Sequence, residues 1–243
     1  MIENIHLKKI DSTNLFAKQH KKEFDPQKIT CITAEEQTQG YGQFQRKWFS
    51  PKGNLFSTFF FTLSKDIKDI TTLAQIMGYT IASVFIEDNL SPTIKWPNDI
   101  LLSCKKVAGT LCETNFTTSI IEVFLGIGIN VNMQENELEK IDQPATSLFL
   151  ETNGIYNPED LLKKIQIKFS ENLQIFKEKG FEPFHYPINN LLAYKSKKIT
   201  LENGQRKWEG ICHSINNRGE LNLYLDSKEL KSFSAGKIIS SCD

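Results

Sequence analysis

The sequence has no excess of charge of either sign: lysine plus arginine and aspartate plus glutamate number 29 each, and the pI is about 6.9. Overall charge therefore supplies no long-range attraction to nucleic acid or an anionic membrane, and any anion site must be built locally. Long apolar runs are also missing. Residues 1–11 hold no apolar core of signal-peptide length, and the richest later run, residues 120–131, is broken by Glu122 and too short to span a bilayer. A cytoplasmic protein with neither DNA nor membrane as partner is expected. The five cysteines (Cys31, Cys104, Cys112, Cys212, Cys242) form no CxxC pair, and their odd number and wide spacing fit reduced thiols better than a disulfide framework. The four histidines (His6, His20, His185, His213) are scattered, so no protein-bound transition metal is expected. No linker-like tract, internal repeat or low-complexity segment occurs.

What is present is enough chain for one sizeable core, or for a larger domain with a small appended one. A strand near residues 5–9 is followed by Asp11-Ser12-Thr13-Asn14, whose side-chain oxygens suit the N-cap of a helix over 15–23. Residues 29–34 read as a strand. Residues 37–49 form a long polar loop with Gly40 and Gly42, and loops of that length in a compact domain tend to be functional. The aromatic run 55–63 reads as a buried strand. Apolar residues at three- to four-residue steps predict a helix over 70–88. Strands follow at 93–96, 99–103, 106–114 and 120–131, suggesting a mixed sheet built from hairpins, then a helix from Asn157-Pro158 to about residue 179. From residue 191 short strands alternate with turns (198–201, 207–215, 220–225, 230–233, 236–240), the texture of a small β-barrel.

Four segments gather polar residues at the ends of these strands: Ser12-Thr13-Asn14, residues 37–48, residues 95–99 with 106–113, and residues 126–132. Singly each is weak. Ser12-Thr13-Asn14 is most simply a helix cap, and Gly126-Ile127-Gly128 can mark a bulge or close packing. Together they are specific. The runs Lys95-Trp96-Pro97-Asn98-Asp99, Lys106-Val107-Ala108-Gly109-Thr110-Leu111-Cys112-Glu113 and Gly126-Ile127-Gly128-Ile129-Asn130-Val131-Asn132 resemble the biotin protein ligase family, whose pattern is KWPND, KxAGILxE and GxGIN. The likeness extends over nearly the whole chain.

The resemblance implies an α+β fold: a central mixed β-sheet flanked by helices over residues 1–190, then an SH3-like barrel over 191–243. It implies a two-step reaction in which ATP activates biotin as biotinyl-AMP and biotin passes to a lysine on a carboxylase carrier domain. Only about ten residues precede the first motif, so the short form without a DNA-binding domain is expected. A carboxylate is a poor acyl donor and must meet the α-phosphate of ATP. A fixed ammonium such as Lys106 can bridge the two anions and stabilise charge developing between them; for an isolated Lys-Lys pair a solvated side chain would be the default. Asp99 is the candidate to orient or deprotonate the acceptor amine, although a turn role after Pro97 suits it equally. No dedicated metal site is expected; magnesium would arrive with ATP, near Asp99.

By resemblance the biotin-binding residues are Ser12, Thr13, Asn14, Gln37, Gly40, Tyr41, Gly42, Gln43, Lys106 and Gly109. A pocket for biotin needs a few polar groups on apolar walls, and Ser12, Thr13 and Gln37 would face its ureido ring. Arg46, Lys47, Trp48, Lys95, Asn98 and Asn130 would bind ATP, with Trp48 beside adenine or simply filling the core. The chain departs from the family loop GRGRxGRxW: it reads Gly40-Tyr41-Gly42-Gln43-Phe44-Gln45-Arg46-Lys47-Trp48. Tyr41 and Gln43 stand where arginines are expected, and Gln45 replaces a glycine. Losing two guanidinium groups implies a looser hold on the adenylate, while backbone amides at Gly40 and Gly42 would still favour phosphate. A lipoate or octanoate ligase of the same fold, and a biotin-binding module without catalysis, are the alternatives. A homodimer through sheet edges is compatible with the sequence.

Overall fold

The computed structural model describes residues 2–239. The chain runs β1 (Ile2–Ile10), α1 (Thr13–His20), β2 (Ile29–Gln37), β3 (Leu55–Ser64), α2 (Leu73–Glu87), β4 (Thr93–Lys95), β5 (Asp99–Leu102), β6 (Lys105–Phe116) and β7 (Ile120–Ile129). It continues through α3 (Glu135–Leu138), α4 (Leu148–Thr152), α5 (Pro158–Lys179), α6 (Glu182–Asn190), β8 (Lys198–Asn203), β9 (Arg206–Ile215), β10 (Leu221–Leu225), β11 (Leu230–Phe233) and β12 (Lys237–Ile239). The chain divides into two compact units, Met1–Lys68 with Lys105–Ile167, and Asp69–Cys104 with Lys168–Asp243. The boundary expected after residue 190 falls inside the second of these.

In the first unit the strand order is β1-β2-β3-β7-β6. β1 and β2 are parallel, joined through α1, and the remaining pairs are antiparallel, so the sheet is mixed. β3 is buried along almost its whole length because both of its faces are apolar. Ala17 of α1, Ile32 of β2, Phe60 of β3 and Phe124 of β7 form a core cluster, with Ile5, Leu7, Phe16 and Phe24 packed on it. Each large apolar side chain so buried stabilises the fold by roughly 1.5–3 kcal/mol, and the packing of α1 on the sheet fixes where Ser12-Thr13-Asn14 stand. The helix is shorter than expected. It ends at His20 and tightens to a 3-10 turn over Lys21–Glu23, before Asp25, which Pro26 biases away from helical geometry.

The second unit holds α2, whose eleven buried residues make it a core helix. Residues 70–87 have the length and composition of a membrane span, yet two-thirds of that stretch is buried inside the fold. α6 escapes sequence reading because Pro187 falls inside it, where proline argues against a helix, although Pro183 in the first turn is compatible with one. Tertiary bonds sustain it: the Asn189 side chain donates to the Ile215 carbonyl (2.9 Å) and accepts from the Ile215 amide (2.7 Å). Strands β8 to β12 form an antiparallel sheet in the order β11-β10-β9-β8-β12, the SH3-like element that the resemblance implied.

Cys31, Cys112 and Cys212 are free thiols. Cys104 is disulfide-bonded, which corrects the reading of every cysteine as reduced; an exposed turn residue is accessible to such pairing in a way that a core thiol is not. Cys242, and Ser240 at the end of the last expected strand, lie outside the described residues.

Candidate active site

The glycines of the two motif strands fall into register. Gly109 of β6 pairs with Gly128 of β7, and the Trp48 indole lies over both. A Cβ on Gly128 would sit 2.5 Å from Trp48 Cε2, and one on Gly109 would sit 3.2 Å from Cζ3. Gly126 serves Asn14 in the same way, since a Cβ there would meet Asn14 Oδ1 at 2.5 Å. The Gly-x-Gly spacing is thus a demand for close approach of side chains to bare backbone, with no bulge in the β6–β7 register. The Trp48 indole N–H is buried without a hydrogen-bond partner, which is uncommon for a polar group out of water.

Around α1 the sequence-predicted polar residues converge. Ser12 caps the helix by accepting from the Leu15 amide at 3.4 Å. The Thr13 amide donates to Gln37 Oε1 at 2.9 Å, and the Thr13 hydroxyl lies 3.2 Å from the same oxygen. Thr58 of β3, fully buried, lies 2.8 Å from the Thr13 hydroxyl and within hydrogen-bond reach of Asn14 Oδ1. A hydroxyl has one proton, so Thr58 donates to either the Thr13 hydroxyl or Asn14 Oδ1 at a time, while Thr13 donates its own to Gln37 Oε1. The Gln37 side chain in turn donates to Ser50 Oγ at 3.1 Å, and Ser50 donates to the Trp48 carbonyl at 2.9 Å. A continuous polar path therefore joins the start of α1 to the base of the 40–48 segment.

That segment is a small hairpin rather than an open loop. Tyr41 bridges Lys47, the Gly42 amide donates to the Arg46 carbonyl (2.8 Å), and the Trp48 amide donates to the Gly40 carbonyl (2.8 Å). Of the two glycine amides expected to favour phosphate, that of Gly42 is engaged within the hairpin. Gly40 is required by space: a Cβ there would meet Ser50 Oγ at 2.6 Å. At the tip Phe44 and Gln45 have φ of 56° and 57°, so the glycine missing from position 45 is missing where the backbone is left-handed. Gln43 is half-buried, while Arg46 and Lys47 are exposed.

Lys106 opens β6. Its ammonium lies 4.8 Å from the centre of the Trp48 ring, beside Gly109, and its half-buried side chain runs along the same surface. Its backbone pairs with residues 144–146, the Lys106 amide donating to the Pro144 carbonyl and the Thr146 amide to the Lys106 carbonyl. Asn130, 2% exposed, donates from its side chain to the Thr146 carbonyl at 3.0 Å. It thereby steadies the strip beside Lys106.

Lys95, Asn98 and Asp99 belong to the second unit, on the β4–β5 hairpin, where Lys95 and Asp99 are register partners. Within that unit the Trp96 indole donates to the Gly219 carbonyl at 2.9 Å, and Gln75 donates to the same oxygen at 2.8 Å. Burial first, and the charge of Asp99 second, push the Tyr194 phenol above its usual range.

Four residues escaped the sequence reading as parts of a site: Lys18, Ser50, Thr58 and Glu113. Glu113 accepts from Lys18 (2.7 Å), Asn14 (2.9 Å) and the Tyr41 hydroxyl (3.0 Å). Burial would raise its carboxyl, but bonds from Lys18 and Asn14, the Lys18 charge and the Tyr41 bond together hold it below the ordinary carboxylate range. Signals were present: Glu113 closes the KxAGxLxE run, and Thr58 is a hydroxyl among phenylalanines. Among the described residues no group of three His, Cys, Asp or Glu could hold a metal ion.

A sequence profile of the biotin/lipoate A/B protein ligase family matches residues 7–130, just over half of the chain. The bifunctional ligase/repressor BirA of Salmonella typhimurium is 30% identical over 212 residues, covering 86% of this chain and 65% of its own length. The biotin--[acetyl-CoA-carboxylase] ligase of Paracoccus denitrificans is 27% identical over 198 residues, covering 79% of this chain and 82% of its own. Among solved structures, the biotin protein ligase from Aquifex aeolicus in complex with biotin and ATP superposes with a TM-score of 0.85 at 30% identity, over 98% of this chain and 97% of that one. The chain spans less than two-thirds of the length of the Salmonella and Escherichia coli BirA proteins, 65% and 61%.

Proposed function

Since the chain belongs to the biotin/lipoate A/B protein ligase family, we propose that it is an ATP-dependent biotin protein ligase acting on a carboxylase carrier domain. The observation that carries this reading is the Lys106 ammonium held against Trp48 and the bare backbone of Gly109, in the same unit as the Thr13–Gln37–Ser50 path. A carboxylate oxygen of biotin attacks the α-phosphorus of ATP, the bond to the β-phosphate oxygen breaks, and pyrophosphate leaves. Lys106 lowers the repulsion between the two anions and stabilises charge on the transferring oxygens. The acceptor lysine then attacks the acyl carbon, AMP leaves, and Asp99 takes the amine's proton.

Ser12, Thr13, Asn14 and Gln37 bind the ureido end of biotin, and residues 40–43, with Lys106 and Gly109, surround its carboxylate end. Trp48, Arg46, Lys47, Lys95, Asn98 and Asn130 serve ATP, Asn130 by steadying the strip beside Lys106. Magnesium would enter on the ATP phosphates, with Asn98 and Asp99 supplying hard oxygen donors rather than a full cage. Residues 1–190 act as the catalytic domain and 191–243 as the SH3-like domain. Balanced charge fits a cytoplasmic enzyme with no nucleic-acid partner.

The test is biotin-dependent exchange between ATP and pyrophosphate, run beside lipoate and octanoate. Exchange with biotin, reduced by about 100-fold or more in Lys106→Ala, supports the reading. Exchange with lipoate alone, or none in the folded protein, overturns it.

A further inference from the structure

Lys18 and Glu113, which the proposed chemistry does not use, form a cluster with Tyr41 of the 40–48 hairpin. Three elements meet at one carboxylate: α1 brings Lys18 and Asn14, the hairpin brings Tyr41, and β6 brings Glu113 itself. The Lys18 ammonium also reaches the Tyr41 hydroxyl at 3.4 Å and lies 5.9 Å from the ring centre. The site is half-buried, with Lys18 and Glu113 side chains 35% and 26% exposed, so these contacts are more than a solvated surface pair.

We propose that Tyr41 is a positioning residue that latches the 40–48 hairpin to β6 through Glu113, with Lys18 as the fixed counter-ion, before any substrate binds. At its base the hairpin is tied to Gln37 through Ser50, and Trp48 rests on the glycine floor. Tyr41 adds a hold further out, on a charged acceptor, where a hydrogen bond is stronger than between neutral groups. The position is arginine in the family pattern. An arginine would bring its own charge to Glu113 and compete with Lys18; the phenol takes one acceptor site and leaves the ion pair whole. A hairpin ordered in advance spares the bound state that ordering cost, so the latch acts on affinity rather than on the chemical step.

This inference rests on the proposed function only for its kinetic arm. Tyr41→Phe, Lys18→Met and Lys18→Arg in the full chain are compared by amide hydrogen exchange without ligands and by biotin-dependent pyrophosphate exchange. Tyr41→Phe speeds exchange at the Gly42 and Trp48 amides about tenfold, and raises KM for biotin and ATP by a similar factor with kcat little changed. Lys18→Met acts in the same direction and Lys18→Arg restores both readouts, while combining Tyr41→Phe with Lys18→Met adds little, because the residues form one network. Unchanged hairpin amides in Tyr41→Phe overturn the latch. So does faster exchange that is equal at the core β3 amides, since that reports general loosening. Should the wild type show no biotin-dependent activity while Tyr41→Phe still frees the hairpin amides, the functional reading fails and the latch stands.

Discussion

Gly109 and Gly128 face one another across β6 and β7, and the bare backbone they leave is the floor under the Trp48 indole. The two glycines are not equivalent. An added Cβ at 128 comes within 2.5 Å of the ring, whereas at 109 the nearest atoms stand at 3.1–3.3 Å and include the flexible end of Lys106. Gly128→Ala is therefore expected to cost about 1–3 kcal/mol of stability by overpacking and to raise KM for ATP, with Gly109→Ala milder on both counts. Denaturant midpoints and ATP titrations check the ranking; equal effects would contradict it.

Gln43 occupies a position where the family pattern has arginine. Restoring a guanidinium in Gln43→Arg is expected to slow escape of biotinyl-AMP by about tenfold, the effect of one charge-assisted bond to a phosphate. Single-turnover formation of the adenylate followed by rapid filtration measures its retention, and equal half-lives would remove the idea.

Gln45 holds a left-handed φ of 57° at the hairpin tip. Glycine adopts that conformation without a Cβ penalty, although it loses more entropy on folding, so Gln45→Gly is expected to stabilise the fold by up to about 1 kcal/mol. A rise in the denaturant midpoint at unchanged m-value is the expected result.

Glu113 carries a depressed carboxyl and Lys18 a raised ammonium. A depressed acid contributes stability above its unfolded pKa and loses it as pH falls through the folded one. A raised base contributes below its unfolded pKa and loses it as pH rises through the folded one. The melting-temperature difference between wild type and Glu113→Gln is thus expected to be level from about pH 5.5 to 9. It should shrink as pH drops below the ordinary carboxylate range. A difference that grew on acidification would show the sign to be wrong.

The alternation, caps and turn residues of the chain determined most of the elements, because helix and strand periods and local bonds are written in neighbouring positions. The boundaries of α2, β3 and β7 lie within a few residues of expectation, and the three motif runs marked where polar groups would gather. Sequence did not reveal α6, whose internal Pro187 argues locally against a helix that the bond from Asn189 to the distant Ile215 carbonyl secures. Nor did it show that residues 37–49 would close into a hairpin, or that Lys18 and Glu113, 95 positions apart, would share a bond. Contacts of that kind exist only once the sheet register has been set. Gly109 meets Gly128, and Gly126 admits Asn14, because pairing of distant strands decides which side chains face bare backbone.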